Sequence, residues 1–182
     1  MSATATRTIP AGTYTADPVH STFGFQVRHN GIQLFRGSFE DVAVSATSDG
    51  ETVAIEGSAQ VESIQVRIAD LKGHLLADDF FAAEKHPEIA FRSITVRQNG
   101  EDIEVEGELT IKGITNHVAA KGTLTGPVTG LAGSEVVGLA LETVIDRTQY
   151  GLTWNADLPS GGPVLANDVK IVVEAELVKS EA

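Results

Sequence analysis

The sequence predicts an all-β protein: a single antiparallel β-barrel of about eight strands, with a short helical insertion near residues 67–85. Three observations lead there. Apolar and polar residues alternate over long runs, turn signals separate the runs, and one segment abandons alternation for helical spacing. A sandwich would use the same strands, but the length of the alternating runs favours closure, with the helical segment plugging one end.

Phe23, Phe25 and Val27 line one parity of an early strand. Phe35 and Phe39 then give way to Val42 and Val44 with a change of parity. Ile89 and Phe91 give way to Ile94 and Val96 in the same manner. Such a change suggests a bulge, which bends a strand and helps a sheet close. Val53, Ile55, Gly57, Ala59 and Val61 form one inward set, and Ile103, Val105, Gly107, Leu109 and Ile111 another. Glu104, Glu106 and Glu108 face away from the latter. Val118, Ala120, Gly122 and Leu124, then Val137, Leu139, Leu141 and Ile145, and finally Ile171, Val173, Ala175 and Leu177 complete the pattern.

Asn99-Gly100 and Asp49-Gly50 suit type I′ hairpin turns. Lys112 to Asn116 forms a third turn, and Gly161-Gly162-Pro163 a longer loop. Ile68, Leu71, Leu75 and Leu76 recur at helical spacing. Asp78 or Asp79 is placed to cap a second short turn carrying Phe80 and Phe81, which His86-Pro87 ends. Residues 1–11 read as a flexible N-terminal segment and residues 12–178 as one domain.

Composition narrows the function. The chain has 182 residues and a formal net charge of −12, and that acidity repels phosphate backbones and anionic lipid headgroups. Neither nucleic acid nor charge-driven docking on a membrane is therefore expected, although a local basic patch is compatible with the total. There is no cysteine, hence no disulfide, thiolate nucleophile or zinc–sulfur site. No run approaches the roughly 20 apolar residues of a membrane-spanning helix. Met1 to Pro10 lacks the apolar stretch of a secretory signal, so a cytoplasmic location is expected unless the chain is a processed form. No phosphate loop, dinucleotide fingerprint, G-x-S-x-G elbow or metal-spaced histidine pair is present, so no catalytic residue, metal or cofactor is assigned.

Gly57, Ala59, Gly107, Ala120 and Gly122 are small residues on inward parities. They either permit strand curvature or leave room for a ligand, and both readings stand at this point. His29 shares the parity of Phe23, Phe25 and Val27. A lone inward histidine is more often a hydrogen-bonded core residue; its functional reading is a headgroup contact at a pocket mouth. His20, after Asp17-Pro18, reads as a local hydrogen-bonding residue. Arg147 is expected to pair with a nearby carboxylate, or, if inward, to present its planar fork to a phosphate or carboxylate. Trp154 serves either as core or as a cover for the mouth.

Four stretches carry a further resemblance. They are Asp17-Pro18-Val19-His20-Ser21 with Phe25 and Val27-Arg28-His29; Asp79-Phe80-Phe81 with His86 to Ser93; Gly107 to Thr115; and Asp146-Arg147-Thr148-Gln149-Tyr150-Gly151. In this order, from about Gly12 to Leu177, the chain resembles the YceI-like family. The resemblance implies an extended lipocalin-like barrel that holds a polyisoprenoid, isoprenoid quinone or fatty-acid-like chain, and it implies a homodimer. His86 stands where that family usually has Tyr, and Tyr150 where it has Phe, and both add polarity.

The residues nominated to contact such a ligand are Phe23, Phe25, Val27, His29, Phe35, Phe39, Leu71, Leu75, Phe80, Phe91, Leu109, Arg147 and Trp154. Two other functions use the same chain. One is an enzyme for a hydrophobic substrate, with His29 as acid–base and Arg147 as anion clamp. The other is a dimeric stress-response protein whose interior is only core. An enclosed apolar void of about 300 Å³ or more separates binding from the last reading.

Overall fold

In the computed structural model, which describes residues 9–180, the alternating runs become a ring. The elements are β1 (Gly12–Ala16), β2 (Thr22–His29), β3 (Gln33–Phe39), β4 (Val42–Ser48), β5 (Val53–Gln60), β6 (Ile64–Gln65), α1 (Ala69–Leu76), β7 (Glu88–Asn99), β8 (Asp102–Ile111), β9 (Ile114–Thr129), β10 (Glu135–Asp146) and β11 (Leu165–Lys179). Strands β4, β5, β7, β8, β9, β10 and β11 follow one another around the wall. β1 pairs with both β4 and β11, which closes an eight-strand antiparallel barrel.

Closure differs at the two ends. β1 meets β11 only from Tyr14↔Lys179 to Ala16↔Leu177. Along the other half of β11, β2 takes its place, with Val169↔Val27 to Glu174↔Thr22, and β3 and β6 follow outward. Only Ser38 and Phe39 of β3 pair with β6, so the rest of that edge of β3 has no strand beside it.

The β1 end is packed solid. Ile9, Tyr14, Ala46, Ile55, Ile103, Val105, Leu124, Val137 and Leu177 are all at most 2% exposed there. Tyr14 Oη donates to the Glu135 carboxylate, and Lys179 Nζ reaches the same carboxylate at 3.1 Å. These contacts tie the short β1 to β10 and β11. The burial of Tyr14 and its anionic partner push its phenol well above the usual range. The N-terminal segment expected to be loose is held from Ile9 onward: Ser48 Oγ donates to the Ile9 carbonyl at 2.8 Å and Tyr14 Oη to that of Pro10 at 3.1 Å. Residues 1–8 lie outside the described residues.

Several local expectations are corrected. The parity change after Phe39 is not a bulge but a corner at Glu40–Asp41 between β3 and β4. The second parity change is a bulge, between Ser93 and Thr95, and it turns Ile94 outward. At Asn99-Gly100 the pair Asn99↔Asp102 leaves Gly100-Glu101 as the turn, and of these two only Gly100 has positive φ, so a type I′ turn is not formed. Asp49-Gly50 belongs to a four-residue loop in which the Asp49 carboxylate accepts from the Glu51 and Thr52 amides. In the two-residue turn Lys112-Gly113 both central residues have positive φ. In the insertion, α1 stops at Leu76 and the turn carrying Phe80 and Phe81 follows it, but Asp78 pairs with Lys85 at 2.7 Å instead of capping that turn.

The small inward residues divide into two groups. At Gly122 an added Cβ would lie 1.7 Å from the Ala140 carbonyl oxygen, and at Gly107 one would lie 2.5 Å from that of Arg92. These two glycines let strands approach closely. Gly57, Ala59 and Ala120 instead border a cavity, and a Cβ at Gly57 would meet only a Val44 methyl at 3.3 Å and the Ala43 carbonyl at 3.6 Å. Gly122→Ala should therefore cost about 3 kcal/mol or more, because backbone must move, while Gly57→Ala should cost about 1 kcal/mol or less. Urea unfolding of the two variants checks the contrast.

Candidate ligand cavity

Above the packed half, the barrel opens into a cavity of about 310 Å³. Val44, Ile55, Ala120, Leu139 and Leu141 form its floor, and they are also members of the packed cluster. The wall rises through Phe23, Phe25 and Val27 of β2, Phe35 and Phe39 of β3, Phe91 of β7 and Leu109 of β8. Leu71 and Leu75 of α1, with Phe80 and Phe81 of the turns after it, cover one side.

All seven phenylalanines border the space, and all but Phe80 are only half-buried. That is what an unfilled interior requires: the rings border a void as well as one another. Phe25 lies 6.3 Å from Phe35 and 5.9 Å from Phe39, and Phe39 meets Phe81 edge-on at 6.1 Å. These are ordinary aromatic pair distances, so the rings form a continuous, mutually braced lining.

His29 ends β2, opposite Gln33 and Leu165, and is exposed at the rim. It is the polar group nearest the description of a mouth contact. Trp154 is half-buried on the same rim, with His74 of α1 edge-on to it at 5.0 Å and edge-on to Phe80 at 4.9 Å. The histidine thus bridges the helix to the strap that follows β10.

Arg147 departs from the expected carboxylate pairing. It is 4% exposed and donates to backbone carbonyls: Nε to Ala166 at 2.9 Å, Nη1 to Leu152 and to Trp154 at 2.9 Å, and Nη2 to Leu165 at 3.4 Å. Burial lowers its pKa, and nearby Asp146 opposes that effect. Asp146 itself is held below the usual carboxylate range by the Thr148 hydroxyl and amide. The guanidinium therefore fastens the 152–154 strap to the start of β11. Asn155 adds to the fastening by accepting from the Leu165 amide at 2.9 Å and donating to its carbonyl at 2.7 Å.

All thirteen nominated residues lie on this one cavity. Parity did not reveal Phe81 and Val164, which lie in a turn and just before β11. The two polar departures, His86 and Tyr150, are not on the wall: His86 packs against the Lys112-Gly113 turn and Tyr150 is 1% exposed in the surrounding core. His20 Nδ1 lies 3.0 Å from Asp17 Oδ2, and Glu176 is nearby. This cluster is not among the cavity residues; the contact lowers the pKa of Asp17 and raises that of His20. No helix among the described residues is long and apolar enough to cross a membrane.

Comparison with known proteins agrees with this architecture. The chain matches the YceI-like domain over residues 14–177. UPF0312 proteins of Staphylococcus aureus, from strains bovine RF122 / ET3-1 and N315, are each 34% identical over 175 residues, spanning 92% of this chain and 98% of theirs. The crystal structure of BcnA from Burkholderia cenocepacia superposes with a TM-score of 0.73 at 18% identity, over 91% of this chain and 99% of that one. The YCEI protein of Campylobacter jejuni gives 0.73 at 23% identity, over 85% and 90%. A polyisoprenoid binding domain from Saccharophagus degradans gives 0.68 at 15% identity, over 92% and 98%. A closed antiparallel barrel with one short helix, built on these motifs and matched over nearly its whole length, places the chain in the YceI-like family.

Proposed function

We propose that the protein binds a long-chain apolar or amphiphilic molecule, of the polyisoprenoid, isoprenoid-quinone or fatty-acid type, and stores or carries it in the barrel. The carrying observation is the cavity of about 310 Å³, bordered by seven phenylalanines and capped by α1. Its size falls at the lower end of small-molecule sites, roughly 300–1,000 Å³. The polyisoprenoid binding domain from Saccharophagus degradans shares the fold and supports the choice of ligand class.

The energetics are adequate. Each buried CH₂ contributes roughly 0.8 kcal/mol, so one five-carbon unit contributes about 3–4 kcal/mol. Two such units offset much of the cost of association and of ordering a flexible chain. A polar head belongs at the rim beside His29, because the wall below it is hydrocarbon. Catalysis finds less support: the N–H groups of Arg147 are largely committed to carbonyls, and among the described residues no side chain hydrogen-bonds the His29 imidazole to act as its partner.

Native mass spectrometry of the purified protein, with solvent extraction of what it holds, tests the reading. A co-purifying long-chain lipid at one per chain is the expected result. Protein that stays empty when offered such lipids would defeat it.

A further inference from the structure

The cations of this acidic chain are not used evenly. Lys85, Arg92, Arg97, Lys121, Lys170 and Lys179 each contact a carboxylate within about 3 Å. Arg147 and Lys112 are spent on carbonyls. Among the described residues, the four remaining cations, Arg28, Arg36, Arg67 and Lys72, have no carboxylate partner, and Arg28 Nη1 donates to the Ile32 carbonyl at 3.4 Å.

All four fall in two short segments, 28–36 and 67–72, which the topology brings together. β2 and β3 pair from Phe23↔Phe39 to His29↔Gln33, so their turn, at residues 30–32, lies on the rim of the cavity. β6 pairs antiparallel to the end of β3, so the chain leaving it runs along the unpaired edge of β3 toward the same rim. Arg36 and Arg67 accordingly border one groove of about 510 Å³ on the outer face. The two segments hold one acid, Asp70, and the groove one more, Glu174.

Each segment also presents an isoleucine to solvent: Ile32, 81% exposed, at the β2–β3 turn, and Ile68, 61% exposed, just before α1. Guanidinium groups without carboxylate partners, beside bare aliphatic tips, suit the boundary between headgroups and acyl chains of a bilayer. Single-stranded nucleic acid would want several exposed aromatic platforms; of the two aromatic rings in these segments Phe35 is half-buried against the cavity, and only the His29 imidazole is exposed. The net charge of −12 does not forbid contact, because charges farther than about 8–10 Å from the membrane are screened at physiological salt.

We propose that this rim, with Arg28, Ile32, Arg36, Arg67, Ile68 and Lys72, docks the protein on an anionic lipid bilayer so that the cavity mouth faces the source of its ligand. The loading role rests on the cavity reading above; the docking itself does not. Each basic side chain near an anionic surface strengthens binding about fivefold.

Flotation of the full chain with lipid vesicles that contain no isoprenoid tests the docking alone. The protein should float with phosphatidylcholine–phosphatidylglycerol vesicles at low salt, sink when salt is raised, and ignore phosphatidylcholine alone. The double variant Arg36→Glu, Arg67→Glu should bind at least about 25-fold more weakly. Ile32→Ser with Ile68→Ser should weaken binding several-fold, and Arg97→Glu, at the ion pair with Glu106, should change little. Circular dichroism confirms that the variants are folded. Wild-type protein that does not float, flotation undiminished by the double charge reversal, or preference for a single-stranded oligonucleotide over vesicles would each overturn the proposal. Lipid found in the purified protein without any flotation refutes the docking and leaves the cavity reading intact.

Discussion

Ala59→Phe should leave the protein folded and empty. Ala59 borders the cavity from β5, between Val42 and Ile89 of its neighbours, so a phenyl ring there projects into existing void. It occupies about the room of one five-carbon unit, whose burial contributes about 3–4 kcal/mol to a bound chain. Affinity should fall at least 100-fold, since each 1.4 kcal/mol is a factor of ten. The empty variant should melt no lower than the empty wild type, because the added ring is buried without displacing packed atoms. Lipid extraction and thermal unfolding, done on the same preparation, read both effects. Retained ligand at wild-type levels would mean that the lipid sits elsewhere.

Arg147→Met should be the most damaging change on the cavity wall. The side chain satisfies carbonyls of Leu152, Trp154, Leu165 and Ala166 in a buried position. Removing one partner from a buried polar set costs about 1–3 kcal/mol for each group left unsatisfied. Water can reach some of these carbonyls once the strap loosens, so the expected total is about 3–5 kcal/mol, or a fall in melting temperature of about 6–20 °C for a chain of this size. Lysine should not rescue it, because a point ammonium cannot imitate a planar fork directed at several carbonyls. Trp154, the single tryptophan, sits on the released strap and should report the loosening as a change in fluorescence.

Much of this geometry was legible because it depends on period two. Ile103, Val105, Leu109 and Ile111 are all buried as their alternation requires, and Glu104, Glu106 and Glu108 face out to meet Lys121, Arg97 and Arg92. The positions of the phenylalanines followed from the same parity. What alternation does not encode is whether facing residues touch. Gly57 and Gly122 are indistinguishable by pattern, yet one borders a void and the other lies against the next strand, and only the strand-to-strand approach separates them.

Arg147 shows a second limit. Sequence places it next to Asp146 and so suggests an ion pair, but Asp146 turns to Thr148, and the guanidinium finds carbonyls from residues up to 19 positions away. The turns show a third. From the sequence, a two-residue loop falls one residue early at Asn99-Gly100 and the Lys112-Gly113 turn runs too long, to Asn116, because the register of the pair, not the dipeptide, decides which residues are central. The helix ends at Leu76, where its apolar spacing ends, and Phe80 and Phe81 reach the cavity from the turn that follows.

The solid packing around Ile9, Tyr14 and Leu177 has a consequence for traffic. The barrel is a blind tube with one door. A molecule longer than its depth cannot thread through and leave by the far end; it must halt at the floor made by Leu139 and Leu141 and trail its remaining length past His29. Under the proposed function, a chain would enter such a vessel tail first and leave it head first, and the closed end would act as a stop that measures how much of the chain is hidden from water.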